Sequence, residues 1–196
     1  MSLHTISLFL HVSGALAFGA GTFMSLVSLR AMRRAQRVEQ VRSVIGLLSL
    51  SGPILGIGML VNVLTGLSMT AFTWGWQTAW IIVTIVTLVP FIAAGAVMGR
   101  RRGAIAKQIS DMADVPLPES VVESIHDPLF GTSVYMMLAL LLGIVFLMTA
   151  KPALDGSIVA IVVAAVLGAL ASLPLWRERT GKTAPAELPK HSKSQP

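Results

Sequence analysis

Cysteine is absent from this chain of 196 residues, and histidine occurs only four times. Without thiols, disulfides, iron–sulfur clusters and thiolate metal sites are excluded. No two histidines have the HExxH spacing of a metalloprotease, no glycine-rich phosphate loop follows a strand, and no nucleophile elbow is present. We therefore expect no soluble-enzyme chemistry and, more generally, a protein that is not an enzyme.

Charged residues are also scarce: they make up 12% of the chain, against about 25% in a soluble domain. They are missing from long apolar runs, each long enough to cross a hydrocarbon core of about 30 Å. The five runs are Leu3–Leu29, Val44–Ala71, Thr78–Met98, Pro128–Ala150 and Gly156–Trp176. No Lys or Arg precedes the first run, so we expect a retained span and not a cleaved signal peptide. The predicted fold class is all-α, a polytopic membrane bundle of five transmembrane helices.

Lysine and arginine are concentrated in three segments. Fourteen of the fifteen lie in the first connector, Arg30–Ser43, in the connector Gly99–Asp127 or after Trp176, and Lys151 is the exception. The positive-inside rule then puts the N-terminus outside and the C-terminus in the cytoplasm, which requires an odd number of spans. We expect the partners to be the lipid bilayer and anionic lipid headgroups at the cytoplasmic arginine clusters. Nucleic acid is not expected, because no basic patch is interleaved with aromatic residues. Among protein assemblies we consider a homo-oligomer or a larger membrane complex.

Two shorter patterns complete this plan. Gly52 and Gly56 form a GxxxG pair, which predicts close packing of the second helix against a neighbour. Pro118–His126 predicts a short helix within the long connector. We divide the chain into a four-helix transmembrane core at 1–152, a fifth helix at 153–176 and a disordered basic cytoplasmic tail at 177–196.

The first run is the only one that contains histidine. On a helix with about 100° per residue, small and polar side chains gather on the side of His11: His4, Ser7, Gly14, Ala15, Phe18, Thr22 and Ser25. Phe9, Leu16, Ala20 and Val27 lie on the opposite side. Lipid on all sides would give a helix no reason to form such a stripe, so we expect the stripe to face other helices. An imidazole in hydrocarbon is a functional-site hypothesis, and the alternative is a neutral histidine hydrogen-bonded to the next helix.

His11 lies about 12 Å below the outer end of its helix, at 1.5 Å per residue. His4 lies two turns above it on the same face. Groups at a similar depth come from three other spans: Thr65, Met69, Trp80, Thr84, Met148 and Lys151.

Three interpretations of this set remain open. The first is a haem or metal site, with His11 and His4 as nitrogen ligands and Met69 or Met148 as soft thioether ligands. The second is a proton or ion pathway, although no Asp or Glu lies inside a span. The third is an accessory or structural subunit, or a small transporter without a cofactor, in which these residues only pack helices.

Several short motifs occur in an order that resembles a known layout over roughly Leu3–Pro152. They are Leu10-His11-Val12, Gly19-Ala20-Gly21, Gly52-Pro53, Thr65-Gly66-Leu67 and Phe146-Leu147-Met148-Thr149-Ala150-Lys151-Pro152. This order resembles a family of uncharacterised bacterial integral membrane proteins, a domain of unknown function. It is also similar to the four-helix plan of the copper-resistance D proteins and of the J-type protoporphyrinogen oxidase, which are associated with copper handling and with haem-dependent oxidation.

The resemblance implies a multi-pass protein of the bacterial plasma (inner) membrane with haem b or copper as the cofactor. It implies that His11 is the ligand and that Lys151 is a propionate or anion partner. Three features depart from the pattern: the fifth helix is extra, no second intramembrane histidine is present for bis-imidazole ligation, and Phe18 lies near the position where the oxidase-like relatives carry a tryptophan. We therefore do not infer an oxidase.

Overall fold

The computed structural model describes residues 3–182 of the chain. The elements are α1 Leu3–Arg34, α2 Val38–Met69, a π-helical turn Thr70–Trp74, α3 Ala79–Ile109, α4 Glu119–His126, α5 Pro128–Ala150 and α6 Leu154–Lys182. Every helix except α4 is long and apolar enough to cross a membrane. For the described residues, the all-α prediction and the five long apolar helices are confirmed.

Helix α5 has the predicted bounds because both of its ends carry strong local signals. Asp127 accepts a hydrogen bond from the Leu129 backbone N–H at 2.9 Å, and Pro128 occupies the first helical position. At the other end Lys151 adopts a left-handed conformation with φ 47°, and Pro152 follows it. A left-handed residue followed by proline ends a helix, because proline has no N–H with which to continue it.

The other long helices extend past their apolar runs. Helix α1 continues to Arg34 and α3 to Ile109, since arginine, alanine and lysine favour helix as strongly in water as leucine does. Helix α6 continues to Lys182, so the tail predicted to be disordered from residue 177 begins as helix. The rest of that tail lies outside the described residues.

Within the bundle, α5 is the central helix. It packs most extensively on α6 and α3, and it also contacts α1, whose main partner is α2. Helices α2 and α3 touch over only a short stretch. The predicted stripe on α1 does face other helices: Gly14, Phe18 and Thr22 are buried, whereas Phe9 and Leu16 are 68% and 70% exposed.

The close helix packing predicted at Gly52 and Gly56 is wrong in its location. A Cβ atom added at either glycine would meet nothing within 4 Å. The close approach lies at Gly14 of α1, where a Cβ atom would be 3.0 Å from the Gly58 carbonyl oxygen and 3.3 Å from the Asn62 backbone nitrogen. Helices α1 and α2 therefore cross at Gly14.

Contacts at one end of the bundle define what we call the arginine side. Arg37, in the first connector, forms an isolated antiparallel bridge with Pro116, so this connector and residues 110–118 lie together. Trp176 donates a hydrogen bond from Nε1 to the Thr132 hydroxyl at 3.0 Å, which brings the end of α6 to the start of α5. The lysines and arginines of the described residues, except Lys151, lie next to these contacts: in the first connector, in the last ten residues of α3 and at the end of α6.

Contacts at the opposite end define the Lys151 side. His4 Nδ1 lies 3.2 Å from the Thr73 hydroxyl oxygen, which ties the start of α1 to the π-helical turn. Lys151 Nζ lies 4.0 Å from the ring centre of Trp74, which ties the end of α5 to the same turn. The structure thus sorts the connectors into the two groups expected from an odd number of spans.

A polar clasp holds the two connectors of the arginine side together. Arg37 donates from Nε to the Asp114 carboxylate at 2.9 Å and from Nη2 to the Asp114 carbonyl oxygen at 2.8 Å. Arg42 donates to the carbonyl oxygens of Ile109 and Met112 at the end of α3, at 3.1 and 2.7 Å. A buried apolar cluster lies beneath, with Met32, Val38, Val41, Ile105, Val121 and Ile125 among its members.

The Asp114 carboxylate gives this clasp a pH dependence. The hydrogen bond from Arg37 lowers the pKa of Asp114, so the folded state binds this proton less readily than the unfolded state. The contact therefore stabilises the fold above the ordinary aspartate pKa of about 3.9 and is lost as the pH falls through the lowered value. We expect Asp114→Asn to reduce the thermal unfolding temperature slightly at pH 7, and the reduction to be smaller at about pH 3, where the carboxylate begins to be protonated. Asp111→Asn, which removes an exposed carboxylate from the same connector, is the control; an equal effect of Asp114→Asn at both pH values would contradict the assignment.

Candidate functional site

The side chain of His11 points from α1 onto α2 and is partly buried. Its Nδ1 atom lies 3.0 Å from the Asn62 carbonyl oxygen and 3.2 Å from the Thr65 hydroxyl oxygen. A carbonyl oxygen can only accept, so Nδ1 carries the proton and donates it. The Thr65 hydroxyl donates its own proton to the Val61 carbonyl oxygen at 2.6 Å, and so it can accept from the histidine as well. Helix α2 thus selects one tautomer of the imidazole.

Gly66 provides the space for the ring. A Cβ atom at this position would lie 3.1 Å from His11 Cε1. Since real Cβ contacts are rarely this short, a side chain at residue 66 would push the ring away from its two acceptors. Asn62, Thr65 and Gly66 follow the 3–4 spacing of one helix face, so α2 presents the carbonyl, the hydroxyl and the gap together.

The fixed tautomer leaves Nε2 of the neutral ring with a free lone pair. This atom has no hydrogen bond to any of the residues at 3–182 whose side chains are described. Histidines that bind metal ions usually donate their other ring N–H to a carbonyl or carboxylate oxygen, which orients the ring and raises its basicity. His11 has this arrangement, so the lone pair of Nε2 is available.

The other predicted ligands do not join His11 in a common polar centre. His4 lies at Thr73, nearer the end of the bundle, and Lys151 lies over Trp74. No hydrogen bond among the described residues links His11 to His4, Met69 or Met148, and no group of three His, Asp or Glu in this part of the chain could hold a metal ion. The depth prediction holds for Thr65, which does meet His11.

Lys151, Trp74 and Trp80 form a small cluster on the Lys151 side. The rings of Trp74 and Trp80 meet edge to face with their centres 5.8 Å apart, and the ammonium group of Lys151 lies over the Trp74 ring. A cation–π contact of this kind stabilises by about 0.5–1 kcal/mol at an exposed site. Lys151 is exposed, so the ammonium N–H groups that do not face the ring are available to an anion.

Below His11, on the same face of α1, the bundle contains an apolar cavity of about 240 Å³ that opens to the surface. Its lining comes from four helices: Phe18, Thr22, Ser25, Leu55, Gly56, Met59, Met98, Val134 and Met137. Cavities that enclose a whole small-molecule ligand usually measure about 300–1,000 Å³. His11 is not among the lining residues, so the cavity and the imidazole are separate features of the bundle.

The chain was also compared with known proteins. No protein-family model, no curated protein and no solved structure matches it. The functional argument therefore rests on the residues themselves.

Sequence reasoning missed two partners of His11. The Asn62 acceptor is a backbone carbonyl, and the amino-acid sequence carries no signal for which carbonyl faces a neighbouring helix. Gly66 gave a weak signal of a close contact. It lies four residues after Asn62 on the same helix face, at a position where no turn requires a glycine.

Proposed function

We propose that this chain is a multi-pass protein of the bacterial plasma membrane in which His11 donates Nε2 to a metal centre in the outer half of the bilayer. A copper ion suits the single fixed nitrogen best, and haem b is the second candidate. The further ligands predicted from the sequence are Met69, Met148 and His4, which would have to move towards Nε2 to join it, and Lys151 is the proposed partner for an anionic group. The proposal keeps the resemblance to the uncharacterised bacterial membrane family as a hypothesis.

One observation carries the proposal: the 3.0 Å hydrogen bond from His11 Nδ1 to the Asn62 carbonyl oxygen. It holds the ring in the tautomer that a metal ligand needs and leaves Nε2 available. A second feature supports it, because a histidine in an apolar span is costly and is usually retained for a function.

The same hydrogen bonds favour a second candidate, in which His11 only joins α1 to α2. The imidazole contacts a carbonyl, a hydroxyl and a glycine of α2, as expected for polar contacts that connect helices in lipid. In that case the chain is an accessory or structural subunit, or a small transporter, without a cofactor.

We further propose that the arginine side faces the cytoplasm and that its exposed arginines contact anionic lipid headgroups. The distribution of lysine and arginine supports this orientation, since positively charged connectors are retained on the cytoplasmic side. His11 and Lys151 then belong to the outer half of the membrane.

Two substitutions of His11 separate the candidates. The asparagine side-chain amide occupies a position close to that of Nδ1, so His11→Asn retains a donor for the Asn62 carbonyl and lacks Nε2. His11→Ala lacks both. A metal centre should be lost in both variants, whereas unfolding stability should fall by about 1 kcal/mol in His11→Ala and much less in His11→Asn. The measurements are metal analysis, absorption spectra of oxidised and dithionite-reduced protein in detergent, and thermal unfolding.

His126→Ala is the control, because His126 lies on the arginine side and hydrogen-bonds to the Val122 carbonyl oxygen of its own helix. Stoichiometric copper identifies a copper centre, and a reducible Soret band identifies haem. A wild-type protein that is colourless and metal-free, when purified under conditions that retain cofactors, would contradict the metal proposal and favour the role in helix packing.

A further inference from the structure

Helices α2 and α3 contact each other over only a short stretch. The apolar cavity of about 240 Å³ lies beside this gap and is lined by residues of α1, α2, α3 and α5. In a bilayer this opening is reached by hydrocarbon and not by water. A cavity of this size takes a segment of a larger molecule, since whole ligands need about 300 Å³ or more.

The lining of the cavity is suited to an acyl chain. Its two hydroxyl groups are already engaged, because Thr22 donates to the Phe18 carbonyl oxygen and Ser25 to the Gly21 carbonyl oxygen, both at 3.0 Å. No polar group is thus left to attract a polar ligand. Met59, Met98 and Met137 supply flexible, polarizable surface that adapts to an irregular apolar occupant.

Arg102 follows the cavity-lining residue Met98 along one face of α3. It lies one helical turn, about 6 Å, beyond Met98 towards the arginine side. Met98, Arg102, Ile105 and Ile109 share one face of α3, and both isoleucines are buried. Arg102 is accordingly half-buried and not fully exposed like its neighbour Arg100.

The guanidinium group of Arg102 has no counter-charge within the described part of the chain. Its neighbour Arg101 is paired with the Asp127 carboxylate at 2.8 Å, whereas no hydrogen bond or ion pair joins Arg102 to any described residue. A phosphate group in the headgroup region would satisfy it, because arginine binds phosphate through two parallel hydrogen bonds.

We propose that the α2–α3 cavity is a binding site for one anionic phospholipid, with an acyl chain between Phe18 and Met137 and the phosphate on Arg102. A second copy of the chain would bring its own arginines next to Arg102, and these like charges would repel each other. The charge next to the apolar opening therefore favours an anionic lipid as the occupant. The inference deepens the lipid contacts proposed above and rests on the arginine side lying in the headgroup region.

Two matched pairs of variants test the site. Gly56 lines the cavity and Gly52 lies one turn away outside it, and a Cβ atom at either would meet nothing within 4 Å. Gly56→Leu therefore adds an apolar side chain at the cavity from a position with room for its Cβ atom, and Gly52→Leu adds the same side chain elsewhere on the helix. Arg102→Gln removes the charge next to the cavity, and Arg100→Gln removes a neighbouring charge that is exposed.

The measurement is native mass spectrometry of the detergent-solubilised protein titrated with phosphatidylglycerol or with phosphatidylcholine. We expect one phosphatidylglycerol to bind tightly, and Gly56→Leu to weaken it about tenfold. Arg102→Gln should weaken phosphatidylglycerol to the level of phosphatidylcholine, while Gly52→Leu and Arg100→Gln behave as the wild type.

Equal binding of the two lipids by the wild-type protein would overturn the proposal. Unchanged binding in Gly56→Leu would also overturn it, and a change of that variant from dimer to monomer would assign the cavity to a second copy. The His11 variants do not touch this site, so loss of the metal proposal and loss of the lipid site are separate results.

Discussion

Gly14→Leu is expected to separate α1 from α2 and to prevent isolation of a folded protein. The first atom of any side chain at this position would meet two backbone atoms of α2, the Gly58 carbonyl oxygen at 3.0 Å and the Asn62 nitrogen at 3.3 Å. Backbone atoms inside a helix cannot move aside as a side chain can. Overpacking costs about 1–3 kcal/mol even where side chains can shift, so we expect at least about 3 kcal/mol for leucine and a smaller loss for alanine.

Gly52→Leu is the matched control, since it inserts the same side chain into open space on α2. The measurements are the yield of monodisperse protein in detergent and the thermal unfolding temperature. Equal stability of Gly14→Leu and Gly52→Leu would contradict the crossing at Gly14. An equal loss of stability in both variants would instead support close helix packing at Gly52 and Gly56, which the structure overturns.

The same substitution also affects the candidate site. Asn62 takes part in both contacts: its nitrogen faces Gly14, and its carbonyl oxygen accepts the proton of His11 Nδ1. A displacement of α2 at Gly14 would therefore break the bond that orients the imidazole. The close helix crossing and the orientation of His11 are one structural feature, which explains why small residues and a histidine share one stripe of α1.

Much of the fold could be predicted because it depends on local signals and on one-dimensional patterns. The bounds of α5 follow from Asp127-Pro128 at its start and Lys151-Pro152 at its end. The buried face of α1 follows from the side on which its small and polar residues gather. The ends of α1 and α3 could not be placed, since the edge of an apolar run marks the membrane boundary and a helix need not end there.

The crossing point and the partners of His11 were harder to predict. A GxxxG pair shows that a helix can approach another closely, but the rotation of α2 about its axis decides whether that face is used. In this bundle the rotation directs Gly58 and Asn62 towards α1 and leaves Gly52 and Gly56 without a close neighbour. The α2–α3 cavity has the same origin, because it arises from the placement of four helices and not from any one of them.

Lys151 is predicted from the sequence to lie at the depth of His11, and the structure places it over Trp74 instead. Its isolation as a cation is visible in the sequence, whereas its position depends on the π-helical turn that carries the Trp74 ring. Such turns insert one residue into a helix and often occur at functional sites. Here the turn joins the ends of α1, α2 and α5 on the Lys151 side.

Single cysteines introduced on the two sides of the bundle are expected to differ in their labelling in intact cells. Those on one side should react with an impermeant reagent, and those on the other side should not. The chain contains no cysteine, so every introduced thiol reports its own position without background. Ser110 is exposed on the arginine side, and Gln77 and Ala153 are exposed on the Lys151 side. We expect Gln77→Cys and Ala153→Cys to react with a membrane-impermeant maleimide, and Ser110→Cys to react only after the membrane is opened.

This pattern follows from the cost of moving charge across the membrane. The arginine side includes Arg37, Arg101 and Arg102, whereas Lys151 is the one basic side chain of the described residues on the other side. Cytoplasmic retention of positive connectors then orients the whole bundle, since an odd number of spans fixes the two termini on opposite sides. Labelling of Ser110→Cys alone in intact cells would reverse the orientation and place His11 in the cytoplasmic half. A metal bound there would be exchanged with the cytoplasm, so the labelling result also decides which compartment supplies the proposed centre.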